Sequence, residues 1–426
     1  MPAVVPAELS PARKPRDGRL DVLRGLCLIN MVLVHLYDQG LGGPAWMHEL
    51  IVHWFRFAAG GFIVTSGMCI GAIHYQRALD PAKRLATYRA LWQRAGLVLL
   101  VHYFSALLSL LVIPASGAAV HDVGRMVGDV LRFYAGYELL LFYVVMLLAA
   151  PAMIELTRRL GAPATLAISA AAFFVKYGNP YVSLYAIENH FPLLRWQLVF
   201  VIGVVGGSLL PRFDALSAPA KWRMFAGGAA TTLLVAGYAA VLRAGGLAVP
   251  AVLDVTKLPL SPLEVIRYAA LTMAIGLLVD RCYARLAGGA AERILRTLGA
   301  QSLLLWVAHI YFTAQAVRLP WLGAVLASLA CAYGVARVGK AAAGAWQRHL
   351  TTLPRIGYAS PVLGSLLVVA LLRGLETPNV LVARVKMQPA VYISGNDLAL
   401  GEDWGDDLPS PTEPLPLDDD PFEHMA

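Results

Sequence analysis

The feature that most limits what this chain can become is a rhythm of long apolar runs, among them 96–113, 139–154 and 198–210, parted by loops alternately rich and poor in Lys and Arg. Soluble domains carry about 25% charged residues. Here 15% are charged and 58% hydrophobic, so the runs read as membrane spans and not as the core strands or helices of a soluble domain. An outer-membrane barrel would show short segments of alternating polarity instead. The net charge of +8 sits in alternate loops, which is an orientation signal and gives no footprint for nucleic acid.

Reading the runs in order gives ten segments, 22–38, 50–75, 90–114, 137–156, 162–177, 194–210, 224–241, 262–279, 302–317 and 321–336. Arg13, Lys14, Arg16 and Arg19 precede the first, while the 39–49 loop after it has no Lys or Arg, so the N-terminus is expected in the cytoplasm. The expectation is all-α: a polytopic transmembrane bundle of about ten spans. Segment 361–372 is apolar but shorter than the roughly 20 residues a span needs, leaving a possible eleventh crossing or a helix lying on the bundle. Four parts are expected: a basic leader at 1–18, a membrane domain at 19–358, the short apolar segment at 359–375, and an acidic, Pro-rich, disordered tail at 376–426. Cys27, Cys69, Cys282 and Cys331 have no paired spacing, and the histidines no ligand spacing, so neither a disulfide framework nor a metal site is expected.

The first segment concentrates the chemistry. At 100° per residue, Arg24 and His35 fall within about 20° of each other on one helix face, and Asp21 lies about 40° to the other side of His35. A rise of about 1.5 Å per residue puts roughly 16 Å between Arg24 and His35. The three therefore cannot form one hydrogen-bonded cluster, but they can mark two ends of one elongated ligand. Ionisable groups inside spans are costly and point to function, although a lone histidine there is often a packing residue. His35 suits a general base taking a proton from a hydroxyl, and Asp38, three residues on, is placed to fix its tautomer.

Arg89 and Arg94, entering the third segment behind Lys83 and Arg84, make with Arg24 an expected anion site at the inner mouth. Lys83 and Arg84 serve equally well as plain topology signals. Ser66 lies in a small-residue stretch, Gly60 to Gly67, whose ordinary explanation is close helix packing. Glu138, Gln197 and His309 complete the buried polar set; Ser66 and Gln197 are candidate oxyanion donors, and Glu138 and His309 candidate acceptor-site residues.

Asp21-x-x-Arg24 followed by His35 resembles the first-span signature of the membrane acyltransferase-3 family, in which aspartate, arginine and histidine fall at this spacing. Phe62 to Gly67 looks like the family's second-span Phe-x-x-x-Ser-Gly, and Leu298 to His309 its late Leu-Gly-x-x-Ser…His segment. The stretches 137–143 and 196–203 look like the branch related to periplasmic-glucan succinyltransferases. Two departures stand out: positions near His309 that are usually aromatic are aliphatic, and the arginines of the third segment form no tight Arg-x-Arg pair.

The resemblance implies transfer of an acetyl or succinyl group from cytoplasmic acyl-CoA, used as co-substrate with no tightly bound cofactor, to a hydroxyl of a periplasmic or surface glycan. It implies residence in a bacterial inner membrane, with His35 as general base or transient acyl carrier and Asp21 and Arg24 at the donor site; Asp38 joins His35 as a catalytic candidate, and Arg89 and Arg94 join the donor site, by position. A carrier or flippase for a lipid-linked sugar or organic anion is the rival reading, since the same polar stripe would line a passage. A scaffold that docks through its acidic tail is a third.

Overall fold

The computed structural model describes residues 17–112, 138–178 and 193–349, apart from positions 55, 248, 251, 252, 256, 258 and 259. The leader through residue 16, the 361–372 segment and the acidic tail lie outside the described residues, as do the domain limits drawn there. Within the described residues the chain is helical, with one isolated bridge, Lys257 to Leu260, outside the helices. The principal helices are α1 (Gly18–Asp38), α2 (Ala58–Cys69), α3 (Pro81–Val112), α4 (Glu138–Gly178) and α5 (Leu193–Ser208). They continue with α6 (Ala218–Gly245), α7 (Pro262–Leu286), α8 (Ala290–Ala300), α9 (Ser302–Ala316) and α10 (Trp321–His349).

α1 is the axis of the bundle. Asp17 caps it, its carboxylate accepting the Arg19 backbone N–H at 2.9 Å, which satisfies one of the orphan donors of the first turn. Because the helix is apolar on nearly every side, it is buried on nearly every side, packed against α2, α7, α8 and α9. α8 crosses it at backbone contact. A Cβ at Gly299 would lie 1.9 Å from the Asp21 carbonyl oxygen, and one at Gly25 2.3 Å from that of Leu295, so only glycine permits this crossing.

α2 runs back beside α1, continues through a π-helical turn at Ile70–Tyr75, and ends in the turn Gln76–Ala78. Gly67 and Gly71 meet Gly203 and Gly207 of α5 so closely that a Cβ on Gly67 would lie 2.2 Å from the Phe200 carbonyl oxygen. This is the close packing expected of the small residues in the second segment. The described parts of the ten apolar segments are mostly helical, and among the described residues six helices are long and apolar enough to cross a membrane, against the expected count of about ten spans.

The difference has physical causes. α5 has 16 residues and α9 has 15, both under the roughly 20 a straight span needs. The first half of α3 is charged, and residues 113–137 beyond its end lie outside the described residues. α4 joins the segments at 137–156 and 162–177 into one 41-residue element that is helical on both sides of Gly161, whose φ of 83° breaks it into two helices. At about 1.5 Å per residue a straight helix of that length would be about twice as long as the membrane's hydrocarbon is thick.

Candidate active site

α1 and α9 run parallel and meet at three side-chain pairs in matching order. Arg24 Nη2 donates a short hydrogen bond to Ser302 Oγ, the His35 and His309 rings face each other with centroids 4.8 Å apart, and Gln39 Nε2 donates to Thr313 Oγ1 at 3.3 Å. On α9 the spacing from Ser302 to His309 rises about 10 Å, against about 16 Å from Arg24 to His35 on α1.

The imidazole pair has a defined asymmetry. His309 is 1% exposed, and its Nδ1 lies 2.6 Å from the Trp306 carbonyl oxygen. A carbonyl only accepts, so Nδ1 carries the proton and Nε2 presents a lone pair. That Nε2 is buried and has no partner among the described residues. His35, facing it, is the less enclosed of the two. Asp38 does not bond His35: its Oδ2 accepts from Arg56 Nη2 at 3.4 Å. As the last residue of α1 its side chain swings outward to the nearest cation.

About three turns below on α1, Arg24 is buried, with its guanidinium 5.6 Å from the centroid of the Phe62 ring and its Nε lacking a partner among the described residues. Phe62 in turn packs edge-on to Tyr143 of α4, and half-buried Ser66 lies beside the Tyr143 side chain. Asp21, 3% exposed, has its carbonyl against Gly299 and its carboxylate within electrostatic reach of Arg296. Arg24, Ser302, Phe62, Tyr143 and Ser66 thus form a polar and aromatic layer between the α1 N-terminus and the imidazoles.

The remaining expected residues are placed elsewhere. Arg89 and Arg94 are exposed on α3, which packs on α4 through the 2.5 Å hydrogen bond from the Tyr88 hydroxyl to Glu155. They lie at the same end of the bundle as Arg24 but on another helix. Gln197 is tied into the α4–α5 contact, its Nε2 donating to the Ser169 carbonyl and its Oε1 accepting from the Ser169 hydroxyl, both at 2.7 Å. Glu138 opens α4, and its side chain lies outside the described residues.

Several residues near the site carry no mark in the sequence. Ser302 belongs to the Leu298–His309 stretch, but nothing local tells that it holds Arg24. Arg56 and Lys257 are isolated cations in interhelical segments, and the buried Glu264–Arg267 ion pair, 2.5 Å long, opens α7. An acid and a base three residues apart at the head of an apolar run was the available signal. No group of three or more His, Cys, Asp or Glu side chains among the described residues could hold a metal.

No curated protein and no solved structure matches the chain. A family model described as an acyltransferase domain matches residues 17–337, from the cap of α1 to the middle of α10 and including both imidazoles. The chain therefore belongs to the acyltransferase-3 family and is an acyltransferase built into a bundle of apolar helices.

Proposed function

We propose that the protein moves an acetyl or succinyl group from cytoplasmic acyl-CoA to a hydroxyl of a periplasmic or surface glycan, in a bacterial inner membrane with the α1 N-terminus inside. The observation that carries the reading is the His35–His309 pair, in which His309 is enclosed and its Nε2 has no partner among the described residues. Two polar imidazoles brought together inside an apolar bundle mark a functional site by default.

In this reading, the CoA phosphates rest at the inner face on Arg24, which Asp21 on the same helix helps to orient, with Arg89 and Arg94 on α3 adding positive charge. The pantetheine arm runs along the α1–α9 seam, a rise of about 16 Å from Arg24 to His35. The thioester then stands beside the imidazoles. His35 takes the proton of the acceptor hydroxyl, whose oxygen attacks the thioester carbonyl. The C–S bond breaks, and the departing thiolate takes that proton from His35, leaving an ester and free CoA.

His309, with its Nδ1 proton committed to Trp306, offers an acceptor and not an oxyanion donor. Its part is to hold the N–H of His35 and so steady the imidazolium that forms. Ser66, half-buried in the layer below, remains the candidate donor toward the oxyanion. Glu138 and Gln197 would shape the acceptor side, Gln197 through its hold on α4.

Replacing His35 by Ala tests this. With labelled acyl-CoA supplied to membranes containing the full chain, transfer to glycan should fall about 10²–10⁴-fold, the usual worth of a general base, while insertion and helix content are kept. Transfer at the wild-type rate by a fully inserted variant would remove the proposal.

A further inference from the structure

Acyl transfer by the imidazoles leaves one group of charges near them without a task. Arg56, in the segment leading into α2, has its guanidinium 3.4 Å from Asp38 and its carbonyl accepting from Arg267 Nη2 at 3.3 Å. Arg267 is itself satisfied by two hydrogen bonds to Glu264, at 2.5 and 2.7 Å. Lys257 sits in the segment before α7, half-buried and bridged to Leu260, which is fully buried. It lies within electrostatic reach of Arg56, Asp38, Glu264 and His35.

The balance of these charges is uneven. Both Glu264 oxygens are occupied by Arg267, and Asp38 is held by Arg56 at the outer limit of a hydrogen bond. Among the described residues, no carboxylate bonds the Lys257 ammonium. A half-buried cation whose nearby carboxylates are bonded to other groups keeps its ammonium free for a further anion, whereas a neutral residue would pack there without that cost.

We propose that Lys257 and Arg56 form an anion-selecting subsite beside His35, which takes a carboxylate or phosphate carried by the substrate that the imidazoles act on. The proposal rests on the acyl-transfer reading and deepens it, since it makes charge a determinant of which substrate is used. The anion has two possible sources, a dicarboxylic acyl group whose far end is ionised or a glycan acceptor bearing phosphate. The chemistry is the same for both: a compact anion held between a guanidinium and an ammonium.

Lys257→Gln and Lys257→Arg in the full-length protein in nanodiscs separate these sources. Succinyl-CoA is compared with butyryl-CoA, of nearly equal length without the carboxylate, and a phosphoglycerol-substituted glucan with the neutral one. The wild type should prefer the charged member of one pair, and Lys257→Gln should shrink that ratio of kcat/KM about tenfold or more, the worth of one charged hydrogen bond. Lys257→Arg should retain it. A shift in the donor ratio assigns the anion to the acyl group, and one in the acceptor ratio to the glycan.

Acyl transfer with no charge preference, or equal losses on all four substrates in Lys257→Gln, overturns the subsite and leaves the acyltransferase reading intact. The subsite is also read without turnover. Succinate or inorganic phosphate should protect Lys257 from an amine-acylating reagent in the wild type and not in Arg56→Gln. No protection by either anion overturns the proposal even where no transfer is measured.

Discussion

The two ends of α1 carry similar numbers of charged groups and use them in opposite ways. At the N-terminal end the described residues include a closed ion cluster: Arg19 bonds Asp17, Asp214 and Asp280 at 2.8, 2.7 and 2.6 Å, and Lys221 bonds Asp280 at 3.0 Å. That cluster ties α1 to α7 and to the segment entering α6, and its bonding capacity is spent within the protein. At the C-terminal end, His309 keeps an Nε2 with no partner among the described residues, His35 is less enclosed, and no carboxylate among those residues bonds Lys257. Charges that hold a fold find their partners during folding. Those that hold a substrate are left with bonding capacity to spare, and the bundle is stable enough elsewhere to tolerate that.

The largest effect short of losing an imidazole should come from Arg24, which stands between the two ends and has one nitrogen bonded to Ser302 and another without a partner. If it holds a CoA phosphate, Arg24→Gln raises the KM for acyl-CoA about 10- to 100-fold, the range for a charged hydrogen bond, and leaves kcat and the KM for glycan nearly unchanged. A donor titration with unchanged KM would move Arg24 from the substrate-holding class to the structural one.

A smaller, graded effect is expected from pH. Burial, and then the neighbouring Arg56, bring the Lys257 ammonium down to about 8 from the ordinary lysine range. The charged form exists below that value and is lost above it, so the preference for an anion-bearing substrate should decline several-fold as pH rises through about 8. Lys257→Arg, whose guanidinium stays charged, should hold its preference to higher pH. A preference that is flat from pH 7 to 9.5 in the wild type would put the charge elsewhere.

The smallest effect on catalysis should come from the closed end. Arg19→Gln removes three ion pairs and should lower the thermal stability of the detergent-solubilised protein, with transfer at low temperature staying within about twofold of wild type. A loss of transfer that exceeds the loss of folded protein would mean that the N-terminal cluster also serves the donor, and the contrast between the ends would fail.

How far the sequence reveals this depends on the range of each contact. The placement of Asp21, Arg24 and His35 along α1 follows from helical periodicity alone, and the all-helical fold follows from the apolar runs. What periodicity cannot supply is the other half of each contact. Ser302 lies 278 positions from Arg24, and Gln39 lies 274 from Thr313, so the α1–α9 register emerges only when the chain is folded.

Asp38 shows the opposite hazard. Its closeness to His35 in sequence suggests a pair, yet at the last turn of a helix it meets Arg56 instead. Gly161 is a third case: a single glycine, followed two residues later by Pro163, splits an otherwise unbroken helical stretch, and no count of apolar residues gives its φ.

The account stands on the two imidazoles acting as one unit, and a double-mutant cycle on acyl transfer with His35→Ala, His309→Ala and both together in nanodiscs measures that most directly. A shared task predicts strong non-additivity: the double variant should be no slower than the slower single one, because removing either member already disables the pair. Losses that multiply, or His309→Ala transferring at the wild-type rate, would show that the rings facing each other at 4.8 Å work separately and would contradict the account.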